Sequence, residues 1–504
     1  MHPAPAVAEA RHANALALAE SPRSRSNPRG MRPSRIPLNL YQRRTKMKDA
    51  LRFSDFVHFF ERCGVTAIFH ALSREVVFVN EVDLADIRNR LSHASFADIN
   101  DEKMDCLIQK KLVVSGDADE KENLEVLQKS ILQHPCIDTL YLLLTNSCNF
   151  ACTYCFFEGS YSGPKEKIMN MTKEMAITAV RQFAGFFKKA CEYSDFYPYE
   201  PSIVFYGGEP FINVDIFFAT VEEVAVLKES GILPKNLVMN INTNGSLITR
   251  EIAVFCAKHN IEVDVSLDGY QSVHDACRVW RGGNNKGTFA DVMRGVTILK
   301  EVGAKTCISC TVSEKNVEEL PAIFNWFLDG AGVNNIGFNP LLNSHQYKIT
   351  DPNYPSKVAQ AMIECFKIAR ERGIYEARMM RKVKAFVDGT IYDRDCCGCG
   401  KQVVILPNGK IGVCHAYSGT GEFFVSPDSD FDPFEHLFWK EWSRRSPLNM
   451  PKCYGCEALT ICGGGCPHNA EMNKGSIWEI DESFCVHAKE TLNWLIWDLY
   501  EQTK

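Results

Sequence analysis

Three cysteines, Cys148, Cys152 and Cys155, stand in the stretch Cys148-Asn149-Phe150-Ala151-Cys152-Thr153-Tyr154-Cys155, just after the apolar run Leu140-Tyr141-Leu142-Leu143-Leu144. Thiolates this close in sequence can converge on one metal centre, yet the set is one ligand short. Four thiolates close a [4Fe–4S] cluster or a structural zinc, whereas three leave one metal corner open to a group that is not protein. Chemistry can happen at such a corner.

The elements that must position this loop follow it. Residues 200–345 read as repeating strand, loop and helix. Ile203–Tyr206, Leu237–Ile241, Val263–Val265, Cys307–Val312 and Ile336–Phe338 are short, β-branched-rich apolar runs, and helical patterns such as Phe289–Lys300 separate them. That alternation predicts a parallel sheet with helical crossovers, in which ligands gather at the C-terminal ends of the strands. The segments at those ends are Gly207-Gly208-Glu209-Pro210, Asn242-Thr243-Asn244-Gly245 and Ser266-Leu267-Asp268-Gly269, with Arg278 twelve residues beyond Ser266. Glycines allow close backbone approach to a ligand, a carboxylate holds an ammonium, and a guanidinium pairs with a carboxylate. Taken singly, each is an ordinary turn sequence. The Gly282–Thr288 stretch lacks the lysine position of a phosphate loop and is expected to be a mobile loop before the helix.

Cysteine clusters again toward the C-terminus. Nine residues separate Cys399 from Gly409 and four separate Gly409 from Cys414; Cys453, Cys456, Cys462 and Cys466 are separated by two, five and three residues, and Cys485 follows. Alone, Cys453, Cys456, Cys462 and Cys466 would read as structural zinc. Nine further cysteines, Cys63 and Cys256 among them, lack ligand spacing and are expected to be small core residues or incidental thiols.

The order and spacing of these segments resemble the radical S-adenosylmethionine (SAM) enzymes with a C-terminal SPASM extension, a family of peptide- and protein-modifying maturases related to anaerobic sulfatase-maturating enzymes. The resemblance implies an α/β fold, with a partial (β/α)6 TIM-type barrel as radical SAM core, an N-terminal winged-helix-like module and a C-terminal iron–sulfur SPASM domain. It implies that Cys148, Cys152 and Cys155 ligate a [4Fe–4S] cluster whose fourth iron SAM chelates. Tyr154 and Leu342 would lie near the adenine, Gly207, Gly208 and Glu209 at the methionine amino group, Ser266 at the ribose and Arg278 at the carboxylate, with Asn244 also in the cofactor-binding set. Two auxiliary [4Fe–4S] clusters are implied as well. One would use Cys453, Cys456, Cys462 and Cys485; the other would use Cys399, Cys414 and Cys466, with Cys396 or Cys397 as a fourth ligand or with an open iron.

Composition bounds the remainder. The chain has 504 residues, 45% of them hydrophobic, and a net charge of −6 without a basic stripe, so two or three cores are expected and nucleic-acid binding has no electrostatic support. No apolar run is long enough to span a bilayer, so no membrane partner is expected. Abundant cysteine without a secretory signal points to a reducing cytoplasm. Residues 1–46 are Ala/Pro/Ser-rich with eight arginines from Arg11 to Arg44 and are expected to be disordered; the bias resembles a transit peptide, and an extension from an upstream start codon, with Met47 as the working start, is equally plausible. Residues 47–135 are expected to form the N-terminal module, with strands at Val57–Phe60, Thr66–His70 and Val76–Val79, either seizing a leader peptide by strand addition or merely capping the barrel. Residues 136–345 form the core, 346–395 a bridge with a helix at Ser356–Arg372, and 396–504 the auxiliary domain ending in a docking helix at Thr491–Tyr500.

The function this implies is reductive cleavage of SAM to a 5′-deoxyadenosyl radical, fed by a ferredoxin- or flavodoxin-type reductant, and modification of a ribosomally made peptide by a cross-link, thioether or related change. Sulfatase maturation, which makes formylglycine, is the alternative. That family carries an aspartate, its proposed base, where this chain has His415, which is either a candidate catalytic base or a surface or supporting histidine. A non-catalytic iron–sulfur carrier or peptide-binding scaffold is a third reading.

Overall fold

The apolar runs become strands because both faces of a parallel sheet are covered: in the run after Pro135, Leu140, Leu142, Leu143 and Leu144 are all fully buried. The computed structural model describes residues 50–93, 102–159, 168–193, 200–344, 347–428 and 430–504; the expected extension, residues 1–46, lies outside them.

The first described residues form strands β1 (Leu51–Phe53), β2 (Val57–Arg62), β3 (Val65–His70), β4 (Val76–Asn80) and β5 (Val113–Ser115), with helices α1 (Glu81–His93), α2 (Glu102–Gln109) and α3 (Lys121–Ser130). β2, β3 and β4 make an antiparallel sheet, whereas, among the described residues, β1 and β5 pair only with each other. Alternation along β3 sends Ile68 to a core shared with α1 and α2, and Ala67 and Phe69 to a core shared with the C-terminal part of the chain. Phe69 stacks on Phe386 at 6.2 Å, and the Thr460 hydroxyl donates to the Ala71 carbonyl at 2.6 Å.

Six parallel strands follow in spatial order: β6 (Thr139–Thr145), β7 (Ser202–Gly207), β8 (Val238–Thr243), β9 (Glu262–Ser266), β10 (Thr306–Val312) and β11 (Ile336–Pro340). This is the expected (β/α)6 arrangement. Its first long helix, Lys173–Tyr193, buries Ala176, Ala179, Val180, Phe183, Ala184 and Phe187, a helical stripe. Each fully buried Phe or Val on such a stripe contributes about 1.5–3 kcal/mol.

A seventh parallel strand, absent from the expectation, joins the free flank of β6. β12 (Gln402–Ile405) begins three residues after Cys399, then β13 (Ile411–Gly412) and β14 (Phe424–Val425) extend the sheet antiparallel. The cysteine-rich domain thus grows out of the barrel sheet itself. Beyond β11, the bridge holds the expected helix as Tyr354–Glu371 and a second, unexpected one at Ala377–Asp388. The terminal helix, Glu482–Thr503, docks on the former through Arg370 and Asp498 at 2.7 and 3.0 Å. No described helix is long and apolar enough to cross a membrane.

Candidate active site

The cysteine loop leaves the C-terminal end of β6 and is held by backbone on two sides. On one side, Gly208 N–H donates to the Thr145 carbonyl at 2.9 Å and Glu209 N–H to the Ser147 carbonyl at 2.8 Å. A Cβ on Gly207, whose φ is +131°, would overlap the Thr145 carbonyl, and one on Gly208 would overlap that of Ser147. The glycines do serve close approach, and the backbone they approach in the structure is the cysteine loop. On the other side, Ala151 and Thr153 N–H donate to the carbonyls of Val279 and Cys277, each at 2.9 Å. Arg281 adds Nε and Nη2 bonds to the carbonyls of Cys148 and Phe150 at 2.8 and 3.0 Å. Trp280 N–H meets the Lys286 carbonyl at 2.9 Å, so the glycine-rich stretch closes as a hairpin behind this clamp instead of forming an open loop.

Burial pushes the Cys148 and Cys152 thiols up to about 12, with the Glu209 carboxylate adding for Cys148 and the Arg278 cation opposing for Cys152; the neighbouring thiolates raise both further. Three thiolates gathered here are therefore costly unless a positive centre lies among them, which is what a ligated iron cluster supplies. Asn244 Nδ2 and Arg278 Nη1 each stand 3.9 Å from a sulfur, of Cys148 and Cys152 respectively. The donor set fits three ligands of one cluster.

Glu209 is fully buried and ties adjacent strand ends together, accepting from Thr243 Oγ1 at 2.8 Å, Asn244 N–H at 2.7 Å and Phe211 N–H at 3.1 Å. Burial raises its carboxyl to about 7 against those hydrogen bonds. Asn244 bonds Asn149 at 2.7 Å, joining the β8 end to the cysteine loop. Arg278 does meet a carboxylate, and in the structure it is that of Asp268, through Nε–Oδ2 at 3.0 Å and Nη2–Oδ1 at 3.2 Å. The Tyr154 hydroxyl also donates to Asp268, and the Arg278 guanidinium lies 5.4 Å from the Tyr154 ring centre. Ser266 ends β9 and Leu342 lies just past β11, both half-buried near these strand ends. Asp268 is the organiser that sequence reasoning left without a role, since an aspartate before glycine resembles any turn.

His415 is drawn inward. Tyr141 pairs with Val404, and Val404 with Gly412, so the chain turns at Cys414–His415 directly beside the Tyr141 row. The imidazole stacks on Tyr141 at 4.9 Å and lies 5.0 Å from Tyr206 and 5.5 Å from Phe156 of the cysteine loop. Burial lowers its pKa to about 4, and Nδ1 has no hydrogen-bond partner among the described residues. Tyr206 feels the thiolates of both Cys155 and Cys414, so this aromatic wall spans from the core cysteine loop to the second cysteine field. Neither tyrosine had a sequence signal, because each looks like an ordinary strand aromatic.

The second field separates into two sets. Cys485 interacts with the thiolates of Cys462, Cys456 and Cys453. Cys396 interacts with those of Cys399, Cys466 and Cys414; Cys397, exposed at its surface, has Lys401 and Asp138 as charged neighbours and also interacts with Cys396 and Cys399. Cys466 thus leaves the four-cysteine zinc grouping and Cys485 takes its place. Of the scattered cysteines, Cys136, Cys256, Cys277, Cys307, Cys310 and Cys365 are buried core residues.

Residues 142–327 match the radical SAM superfamily model. The chain is 25% identical over 437 residues to the radical SAM cyclopropyl synthase TigE of Paramaledivibacter caminithermalis, covering 82% of this chain and 86% of the relative. It is 24% identical over 344 residues to a cysteine-type anaerobic sulfatase-maturating enzyme of Clostridium novyi, covering 65% and 87%. Among solved structures, native anSMEcpe with bound AdoMet aligns at a TM-score of 0.59 and 19% identity, over 72% of this chain and 99% of that one. The barrel, the three-cysteine loop at the end of its first strand and these similarities lead to one conclusion: residues 142–327 are a radical SAM domain, and the chain that carries it is an enzyme.

Proposed function

We propose that the chain modifies a side chain of a ribosomally made peptide, with SAM and a [4Fe–4S] cluster at Cys148, Cys152 and Cys155. When bound there, these cofactors would supply radical chemistry for hydrogen-atom abstraction from the substrate. The chain's own task is to place and shield. The two backbone clamps fix the cysteine loop, Asp268 fixes Arg278 and Tyr154, and Glu209 fixes the strand ends beside Cys148. Glu209, Ser266, Arg278, Tyr154, Asn244 and Leu342 are the proposed SAM neighbours.

The observation that carries this reading is the wall formed by Phe156, Tyr206, Tyr141 and His415, which runs from the core cysteine loop to Cys414. A side chain inserted there would be desolvated between two cysteine centres, with His415 positioned to accept or hold a proton. The two auxiliary sets, Cys396, Cys399, Cys414, Cys466 and Cys453, Cys456, Cys462, Cys485, are proposed to hold [4Fe–4S] clusters. A ferredoxin- or flavodoxin-type protein is the proposed reductant.

Sulfatase maturation is the second reading, favoured by alignment to 87% of the length of the Clostridium novyi enzyme. Mass spectrometry of anaerobic reactions containing SAM, dithionite and short peptides encoded beside this gene separates the two. A defined mass change in such a peptide supports the first reading. Formylglycine in a sulfatase-derived peptide, with the others unchanged, would replace it by the second.

A further inference from the structure

Helix Ala377–Asp388 carries Arg378, Arg381 and Lys382 toward one buried carboxylate, that of Asp395, which directly precedes Cys396. Arg378 and Arg381 stand 3.4 and 4.0 Å from Asp395, and the Tyr392 hydroxyl donates to it at 2.5 Å. Lys382 is 1% exposed, with Nζ 5.7 Å from the Tyr392 ring centre, and acts on both Asp395 and Cys462. A second buried carboxylate, Glu376, caps the helix through the N–H groups of Arg378 and Met379 and interacts with the two arginines. Arg381 is 47% exposed and meets solvent, whereas Lys382 is buried, and a buried cation is strongly disfavoured without an anion beside it. The Tyr392 and Asp395 N–H groups donate to the carbonyls of Thr460 and Gly463 at 2.9 and 2.8 Å, which lays this segment along Cys462, a member of the second auxiliary set, and makes that thiolate the remaining anionic neighbour of Lys382.

We infer that Lys382 is a positioning residue that sets the reduction potential of the cluster held by Cys453, Cys456, Cys462 and Cys485. The inference rests on the auxiliary-cluster reading above. A cluster with four thiolates is anionic and gains one further negative charge on reduction, so a cation fixed beside one of its sulfurs stabilises the reduced form more than the oxidised form. Asp395 also acts on Cys462, so its carboxylate opposes reduction of the same cluster that Lys382 favours.

The test uses full-length protein with Cys148, Cys152 and Cys155 all changed to Ala, reconstituted anaerobically. Iron analysis comes first, with about eight irons per chain expected; zinc or negligible iron would sink both the auxiliary-cluster reading and this inference. Midpoint potentials are then read by spectroscopically monitored redox titration in the same background. Lys382→Met should shift one auxiliary signal to a more negative potential, Lys382→Arg should leave it near the parent value, and Asp395→Asn should move a signal the opposite way. If eight irons are retained and Lys382→Met leaves both potentials unchanged or more positive, the auxiliary clusters stand and the role of Lys382 is refuted. Should Lys382→Met fail to fold, the Lys382→Arg and Asp395→Asn pair still decides: no positive shift in Asp395→Asn overturns the electrostatic account.

Discussion

Replacing Asp268 by Ala should be among the most damaging single changes in the barrel that touch no cysteine. Its carboxylate accepts two bonds from Arg278, one from the Tyr154 hydroxyl and one from Thr311 N–H at 3.1 Å. The Arg278 and Asp268 side chains are 9% and 3% exposed, so truncation strands a buried cation, at a cost of about 3–5 kcal/mol. The orphaned Tyr154 and Thr311 groups would each cost about 1–3 kcal/mol if counted alone, but they share one site, so the total should stay near the upper end of the first range. Urea unfolding of cluster-free protein gives the comparison without metal linkage. Asp268→Leu combined with Arg278→Met should recover much of the loss, because removing both charges leaves no buried charge unpaired. In cluster-loaded protein, Asp268→Ala should lower SAM cleavage at least tenfold, since Arg278 and Tyr154 lose the group that orients them. A cost below about 1 kcal/mol for Asp268→Ala, or strict additivity in the double variant, would refute this view of Asp268 as the organiser.

Other consequences can be checked individually. Gly208→Ala places a methyl group on the Ser147 carbonyl, so reconstituted protein should lose the core cluster, about four irons per chain, while auxiliary iron remains; full iron content would show that the loop yields. Cys396→Ala should cost about four irons and Cys397→Ala none, because Cys396 interacts with all three of Cys399, Cys414 and Cys466; the reverse result would reassign the ligand. His274 accepts the Asp268 N–H on Nδ1 and contacts Thr288 Oγ1 through Nε2 at 3.0 Å, so protonation would set N–H against N–H. Burial depresses its pKa from 6.5 to about 4, and the stability this confers is fully present above pH 6.5 and is lost as pH falls through 4. His274→Gln should reduce that acid-side loss by about 3 kcal/mol in pH-dependent urea unfolding, and an unaltered pH slope would count against it.

The sequence by itself determined the local and periodic features. Short β-branched runs at regular spacing gave the six parallel strands in order, because alternation and burial are written residue by residue. The spacing of Cys148, Cys152 and Cys155 marked the chemical loop, since adjacent ligands must share one turn of chain. Tertiary structure decided whatever depends on residues far apart meeting. It paired Arg278 with Asp268 and added β12 to the flank of β6. That last pairing turns His415 inward onto Tyr141 and Tyr206. A four-residue strand such as Gln402–Ile405 has too little periodicity to announce its partner, and a buried charge such as Lys382 contradicts the hydrophobic pattern that reveals a helix. Long-range pairing and buried electrostatics are settled by the free energy of the whole fold, where an unpaired charge or an open sheet edge is costly only once its surroundings exist.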